Sequence, residues 1–274
     1  MFNWYPGHMA KTLREIKEQQ KIFDLFIILL DSRIPLTSFN PELYKIINQK
    51  PILFVFTKAD KVNKDKLNKY ILENYKEYKS LILNLKSSDA YKKLSSKINE
   101  FYLELTKKNL AKGKLTPNIK CVVMGIPNVG KSTLINLLSH SSSTKVGNMP
   151  GVTKSRQWIN CANFMLLDTP GVLMPKIEND IIGAKLAITS SIKLEGLNKK
   201  DVLFHIYRLL SNIVPNELLK LGLQPLDKDE DIYQELLKYG QNNKMLLKNN
   251  EVDINKVINK LIKHFQELNN IIYD

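Results

Sequence analysis

One octapeptide restricts this chain more than any other feature: Gly125-Ile126-Pro127-Asn128-Val129-Gly130-Lys131-Ser132, which fits G-x4-G-K-[ST]. The residues before it, 119–124, are mostly apolar and fit a buried strand. Helical spacing begins at Lys131. Strand, glycine turn and helix in that order form a cradle for phosphate. The glycines let backbone N–H groups curl around the oxygens, and the helix N-terminus adds partial positive charge. Lys131 is placed to reach β and γ phosphates, and the Ser132 hydroxyl to ligate magnesium. Val129, Gly130 and Thr133 complete the phosphate-binding stretch.

The surrounding pattern agrees with a layered α/β fold. Residues 1–22 read as an arm and an amphipathic helix. Apolar runs at 26–30, 52–56 and 81–85 read as strands, separated by helical stretches near 41–49, 63–78 and 89–110. Residues 107–118 contain Gly113 and Pro117 and read as a linker. Two further strands are expected around Trp158 and at 164–167. Beyond Pro175 only helical spacing remains, as in Ile254, Val257, Ile258, Leu261, Ile262 and Phe265. The expectation is a doubly wound, mostly parallel sheet within residues 1–177, followed by a smaller all-helical domain over 178–274.

Two more strand ends carry chemistry. Asp168-Thr-Pro-Gly171 follows an apolar run; Asp168 is placed to hold magnesium through water, and the Gly171 N–H to meet a γ-phosphate. Thr57-Lys58-Ala59-Asp60 resembles the guanine-binding [NT]-K-x-D motif. The Asp60 carboxylate can accept two hydrogen bonds, from guanine N1–H and the 2-amino group, a pair adenine lacks. The Lys58 stem would lie along the base. Asn84-Leu-Lys86-Ser87 is the candidate for the loop completing the base pocket. Taken alone, the tetrapeptide also reads as a solvated strand-to-helix turn with Asp60 as a cap. Its position is informative: it precedes the phosphate loop by about seventy residues, whereas in ordinary GTPases it follows. A sheet cut elsewhere and rejoined at nearby ends keeps its site.

Charge points to a polyanionic partner. The chain carries a net charge of +14, and residues 1–175 hold 27 Lys and Arg against 13 Asp and Glu. Residues 176–274 hold 14 of each. Such a surface favours RNA, although lysine is abundant throughout. The apolar run from Leu25 to Leu30 sits between Asp24 and Asp31 and is too short to cross a bilayer. With no leader ahead of the first motif, and Cys121 and Cys161 spaced for neither a framework nor a metal, a soluble protein of a reducing compartment is expected.

Taken together, Trp4-Tyr-Pro-Gly-His-Met-Ala-Lys11, Asp31-Ser-Arg-Ile-Pro35, Thr57-Lys-Ala-Asp60, the octapeptide, Pro150-Gly-Val-Thr153 and Asp168-Thr-Pro-Gly171 resemble the ribosome biogenesis GTPase A family of circularly permuted GTPases. They run in family order over residues 4–171, and the helical tail is similar by pattern. The resemblance implies GTP hydrolysed to GDP in late maturation of the large ribosomal subunit. The precursor and its rRNA would be the partners, and the helical domain would touch them. A monomer without stable membrane association, in the cytoplasm or an organelle matrix, goes with it. Thr153 is similar to the switch threonine that senses γ-phosphate and magnesium. Asn128 matches an asparagine linked to a potassium ion, and His8 a histidine proposed to assist hydrolysis. Where many GTPases carry a water-orienting glutamine after D-x-x-G, this chain has Val172 and then Leu173, so another group must act. Thr57 stands where the family usually has asparagine, so weaker guanine contacts or weaker loop bracing is expected. Two rivals stay open: an RNA-binding scaffold that binds nucleotide without needing turnover, and an ATP-using enzyme.

Overall fold

The longest apolar run lies at the middle of a sheet. Leu25–Asp31 (β1) is buried at every position, as befits a strand with a neighbour on each edge and cover on both faces. The computed structural model describes residues 7–47, 50–139, 158–161, 163–169, 177 and 179–274, without the side chains of 7–10, 12 and 168. Two units are distinct, one within residues 5–175 and one within 176–274.

The first unit begins with α1 (Gly7–Gln19), which buries Leu13 and Ile16. After β1 come α2 (Glu42–Ile47), β2 (Ile52–Thr57), α3 (Lys64–Asn74), β3 (Lys79–Ile82), α4 (Ala90–Leu110), β4 (Ile119–Gly125), α5 (Lys131–Ser139), β5 (Trp158–Cys161) and β6 (Phe164–Asp168). The strand order is β3-β2-β1-β4-β6-β5. All pairs are parallel except β5 with β6, a hairpin-like antiparallel pair. The chain therefore runs outward from β1 to one side, then restarts on the other with β4. That reversal opens a crevice at the carboxyl ends of β1 and β4, where ligands bind in such sheets.

Two boundaries differ from the sequence reading. The third strand covers residues 79–82 rather than 81–85, because Asn84 starts a turn in which its side-chain oxygen accepts from the Lys86 N–H at 3.0 Å. The helix expected to reach residue 78 stops at Asn74. Tyr75 and Tyr78 leave it to place their rings edge-on to Phe54 at 5.0 and 5.1 Å, a packing gain that outweighs another helical turn. Cys121 and Cys161 are both buried thiols, and burial pushes the Cys121 pKa well up, as expected of a core residue.

The second unit contains α6 (Asp180–Ile188), α7 (Lys199–Ile213), α8 (Pro215–Leu219), α9 (Asp229–Asn242) and α10 (Ile254–Gln266), with one isolated antiparallel bridge between Leu246 and Val252. Val257, Ile258, Leu261, Ile262 and Phe265 of α10 are buried, so the periodic apolar pattern is the core stripe. Asn179, Asn198 and Asp253 cap α6, α7 and α10 by accepting backbone N–H bonds. The unit's neutral charge is unevenly spread. Asp229, Glu230 and Asp231 fill the first turn of α9, whereas Lys256, Lys260 and Lys263 are exposed along one face of α10. No helix among the described residues is long and apolar enough to cross a membrane.

Candidate functional site

Strand ends and the turns near them build the site. Asp31 is level with Thr57 across β1 and β2, and Leu29 with Gly125 across β1 and β4. Gly125 leaves β4 at φ +155°, and a Cβ there would lie 2.7 Å from the Leu29 carbonyl oxygen, so backbone approaches backbone too closely for any side chain. The turn continues through Asn128 in the left-handed region at φ 57° and Gly130 at φ 109°. Lys131 is buried, and its ammonium donates to the carbonyls of Gly125 at 3.0 Å and Ile126 at 2.8 Å. Ser132 and Thr133 are exposed in the first turn of α5, and Val129 is buried.

The other motif meets this loop directly. Thr57 is fully buried at the end of β2, and its Oγ1 lies 2.7 Å from the Val129 carbonyl oxygen and 3.1 Å from that of Leu30. A hydroxyl has one proton; the shorter contact is the one reaching 72 residues along the chain, into the phosphate loop. A threonine can thus brace these two loops where asparagine is usual. Lys58 follows in the left-handed region at φ 56° and ψ 35°, and its ammonium reaches the Asp31 carboxylate at 2.9 Å. Asp60, in the short helical turn Ala59–Lys61, is exposed.

The third piece also arrives. Within residues 84–87 the Ser87 hydroxyl bonds to the Asn84 carbonyl at 2.8 Å and the Asp89 carboxylate at 2.7 Å. Lys86 points outward, while Leu85 is buried. A Cβ at Gly130 would sit 2.8 Å from Leu85 Cδ1, so this loop touches the phosphate loop.

On the other flank, Asp168 ends β6 level with Val123 of β4, and the Thr169 hydroxyl donates to the Val123 carbonyl at 2.6 Å. Residue 168 is thereby held beside the strand that feeds the phosphate loop. Its side chain lies outside the described residues, as do Thr153, Gly171, Val172 and Leu173. His8 falls in the first turn of α1, with its side chain likewise outside them. Among the described residues no cluster of His, Cys, Asp and Glu is arranged to hold a metal.

The model of the 50S ribosome-binding GTPase family matches residues 120–260. It starts at β4, leaving Thr57–Asp60 outside. Ribosome biogenesis GTPase A of Bacillus cereus is 36% identical over 269 residues, 97% of this chain and 90% of the relative. The chain belongs to the ribosome biogenesis GTPase A family. GDP-bound YlqF superposes with a TM-score of 0.66 at 17% identity, over 93% of this chain and 94% of the other. GNP-bound YlqF from T. maritima gives 0.65 at 18%, over 94% of each. These neighbours share the fold, a permuted P-loop GTPase sheet. This member of the family is therefore a GTP-binding, GTP-hydrolysing enzyme whose motifs run in permuted order, as the sequence leads one to expect.

Asp31-Ser-Arg-Ile-Pro35 carries no chemical role that its residue types alone announce. In the structure it is a buried polar knot. The Asp31 carboxylate accepts from Arg33 Nε at 3.0 Å, Arg33 Nη2 at 2.8 Å and the Arg33 backbone N–H at 3.1 Å, besides Lys58. Ser32 Oγ donates to the Thr57 carbonyl at 2.6 Å. Burial alone would raise the Asp31 pKa, but the Arg33 and Lys58 bonds and charges outweigh it and hold the pKa below its ordinary 3.8. Burial lowers the Lys58 pKa, and Asp31 opposes that shift. The available signal was an acid ending a wholly apolar strand: a carboxylate buried there needs a cationic partner.

Proposed function

We propose that this GTPase acts in late maturation of the large ribosomal subunit, binding the precursor in its GTP form and leaving on hydrolysis. The observation that carries the reading is the hydrogen bond from Thr57 to the Val129 carbonyl, which ties the guanine motif to the phosphate loop. The names of the relatives supply the ribosomal context.

In this reading Lys131 and the N–H groups around Asn128, Val129, Gly130, Ser132 and Thr133 hold the phosphates. Asp60 selects guanine, the Lys58 stem packs on the base, and Lys86 and Ser87 close the pocket. Magnesium fits the donor set: Ser132 offers a hydroxyl at the helix start, and Asp168, whose backbone pairs with β4, is an aspartate, oxygen ligands of the kind a hard cation takes. Thr153 and the Gly171 N–H would complete the γ-phosphate contacts, and magnesium would supply charge to the transferring phosphoryl group. Potassium beside Asn128 would add positive charge, and His8 would orient the attacking water, since Val172 cannot.

Residues 1–177 would form the GTPase domain and 178–274 the rRNA-contacting one, with the exposed Lys256, Lys260 and Lys263 as its basic face. The protein would work as a cytoplasmic monomer on the precursor particle. Turnover measured with and without purified large subunits tests the proposal. Stimulation is expected; unstimulated turnover with intact RNA binding would favour a scaffold. His8→Ala should keep GTP affinity and lose the stimulation, and equal rates in sodium and potassium would reject the Asn128 role.

A further inference from the structure

The Asp31 carboxylate is buried to zero exposure yet carries two cations, Arg33 and Lys58. The Arg33 fork takes both carboxylate oxygens, Nε on one and Nη2 on the other. A two-point contact of this kind fixes the plane of the carboxylate as well as its place. The oxygen that receives Nη2, Oδ2, is also the one that receives the Lys58 ammonium. Lys58 itself adopts a left-handed backbone at φ 56°, a conformation that is unfavourable for a non-glycine residue. Two bonds retain it: the Lys61 N–H to the Lys58 carbonyl at 2.9 Å, and the ion pair. The Lys58 side chain remains 27% exposed although its ammonium is held by the Asp31 carboxylate. The loop that carries Arg33 is itself anchored. Ser32 bonds the end of β2, the Asp31 N–H donates to Ser38 Oγ at 3.1 Å, and Tyr75 donates to the Pro35 carbonyl at 3.0 Å.

We infer that the Asp31–Arg33 pair is the positioning device of the base pocket: it clamps the Lys58 ammonium so that the lysine stem is presented as a preformed shelf for the guanine ring. The inference rests on the reading of Thr57–Asp60 as the guanine site. Asp31 and Arg33 are positioning residues, since they act through Lys58. A base arriving at a preformed shelf does not have to order four rotatable bonds first, so the clamp contributes to affinity rather than to the chemical step.

The test uses the full chain and a fluorescent GDP analogue. Asp31→Asn should weaken GDP binding roughly tenfold or more, the scale of a lost charge-assisted bond. Saturated turnover should stay within about twofold, giving a KM effect without a kcat effect. A merely structural ion pair would move the melting temperature and leave the coupling to Lys58 at zero. The decisive arm is therefore the cycle with Lys58→Met: once the ammonium is gone, Asp31→Asn should cause no further loss of GDP affinity. Additive losses, or unchanged affinity in a folded Asp31→Asn protein, overturn the inference. Should Asp31→Asn not fold, Arg33→Lys keeps the charge and removes the two-point fork. It should weaken GDP binding several-fold, and affinity equal to the parent overturns the clamp. Asp60→Asn is run alongside. If it fails to move preference from GTP to xanthosine triphosphate, the guanine-site reading itself falls. If it does move preference while the Asp31 cycle is additive, only the clamp falls.

Discussion

The strand ends of the sheet unit and the α10 helix of the second unit use polar groups in opposite ways. In the sheet unit, the polar residues of the site are buried and bonded to one another or to backbone carbonyls: Thr57 to the Val129 carbonyl, Asp31 to Arg33 and Lys58, and Lys131 to its own loop. In the helical unit the cations of α10 sit outside, above a stripe of buried aliphatic residues. Buried polar bonds fix geometry and resist substitution; exposed charges set long-range attraction and tolerate it. The first arrangement suits recognition of one small ligand, the second a broad polyanionic surface.

Lys131→Ala should have the largest effect and fall wholly on the first unit. It removes the cation proposed to meet the phosphates and takes a donor from the Gly125 and Ile126 carbonyls. Turnover should drop by about a hundredfold or more, the scale of losing one charge-stabilising group. Turnover within severalfold of the parent would break the comparison at its root.

Next in size is the replacement of Lys256, Lys260 and Lys263 together by glutamine. Affinity for large-subunit rRNA should fall roughly tenfold, and the dependence of log affinity on log salt should flatten by about two. GDP affinity is the control that sharpens the contrast. An equal loss there would show that α10 does not act as a separate, exposed surface.

Thr57→Val is smaller. Valine keeps the shape and removes the hydroxyl, so the bond to the Val129 carbonyl is lost while the core stays filled. Stability should drop by about 1 kcal/mol, read by chemical denaturation, and GDP binding should weaken a few-fold. Unchanged binding would mean that the two loops stay together without this brace.

How much of this was legible in the sequence follows the same division. The sheet, the phosphate loop and the permuted order were readable because each rests on local signals: apolar runs, glycines where the backbone turns, and a lysine at a fixed offset. The α10 lysines were readable in principle, since their spacing of four and three places them on one face. The link from Thr57 to Val129 was not, because nothing local specifies a partner 72 residues away. The pairing of Asp31 with Arg33 is local, two residues apart, but its extension to Lys58 depends on β1 and β2 being neighbours in register. The early end of α3 was missed for the same reason: the tyrosines that leave it are drawn to Phe54 on another strand.

The smallest expected effect separates the units by pH. His205 on α7 is part-buried, with Nδ1 2.8 Å from Arg208 Nη2 and Nε2 3.7 Å from the Asp180 carboxylate. The guanidinium can only donate, so Nδ1 is the acceptor and the ring is neutral. Burial lowers the His205 pKa from 6.5; Asp180 opposes the shift, Arg208 adds to it, and Asp201 opposes it weakly. A depressed folded pKa means the unfolded chain binds the proton first. The contribution to stability is therefore complete above 6.5 and is lost as pH falls from there through the folded value. Asp31 follows the same sign further down, losing its contribution only below 3.8. Between those ranges the helical unit should soften while the sheet holds. Hydrogen exchange at about pH 7.5 and about pH 5.5 reads this when the parent is compared with His205→Gln at each pH, so that intrinsic exchange cancels. Protection of α7 in the parent should decline relative to the variant at the lower pH, while β1 and β4 keep a constant ratio. A parallel decline in the strands would mean that acid opens both units as one.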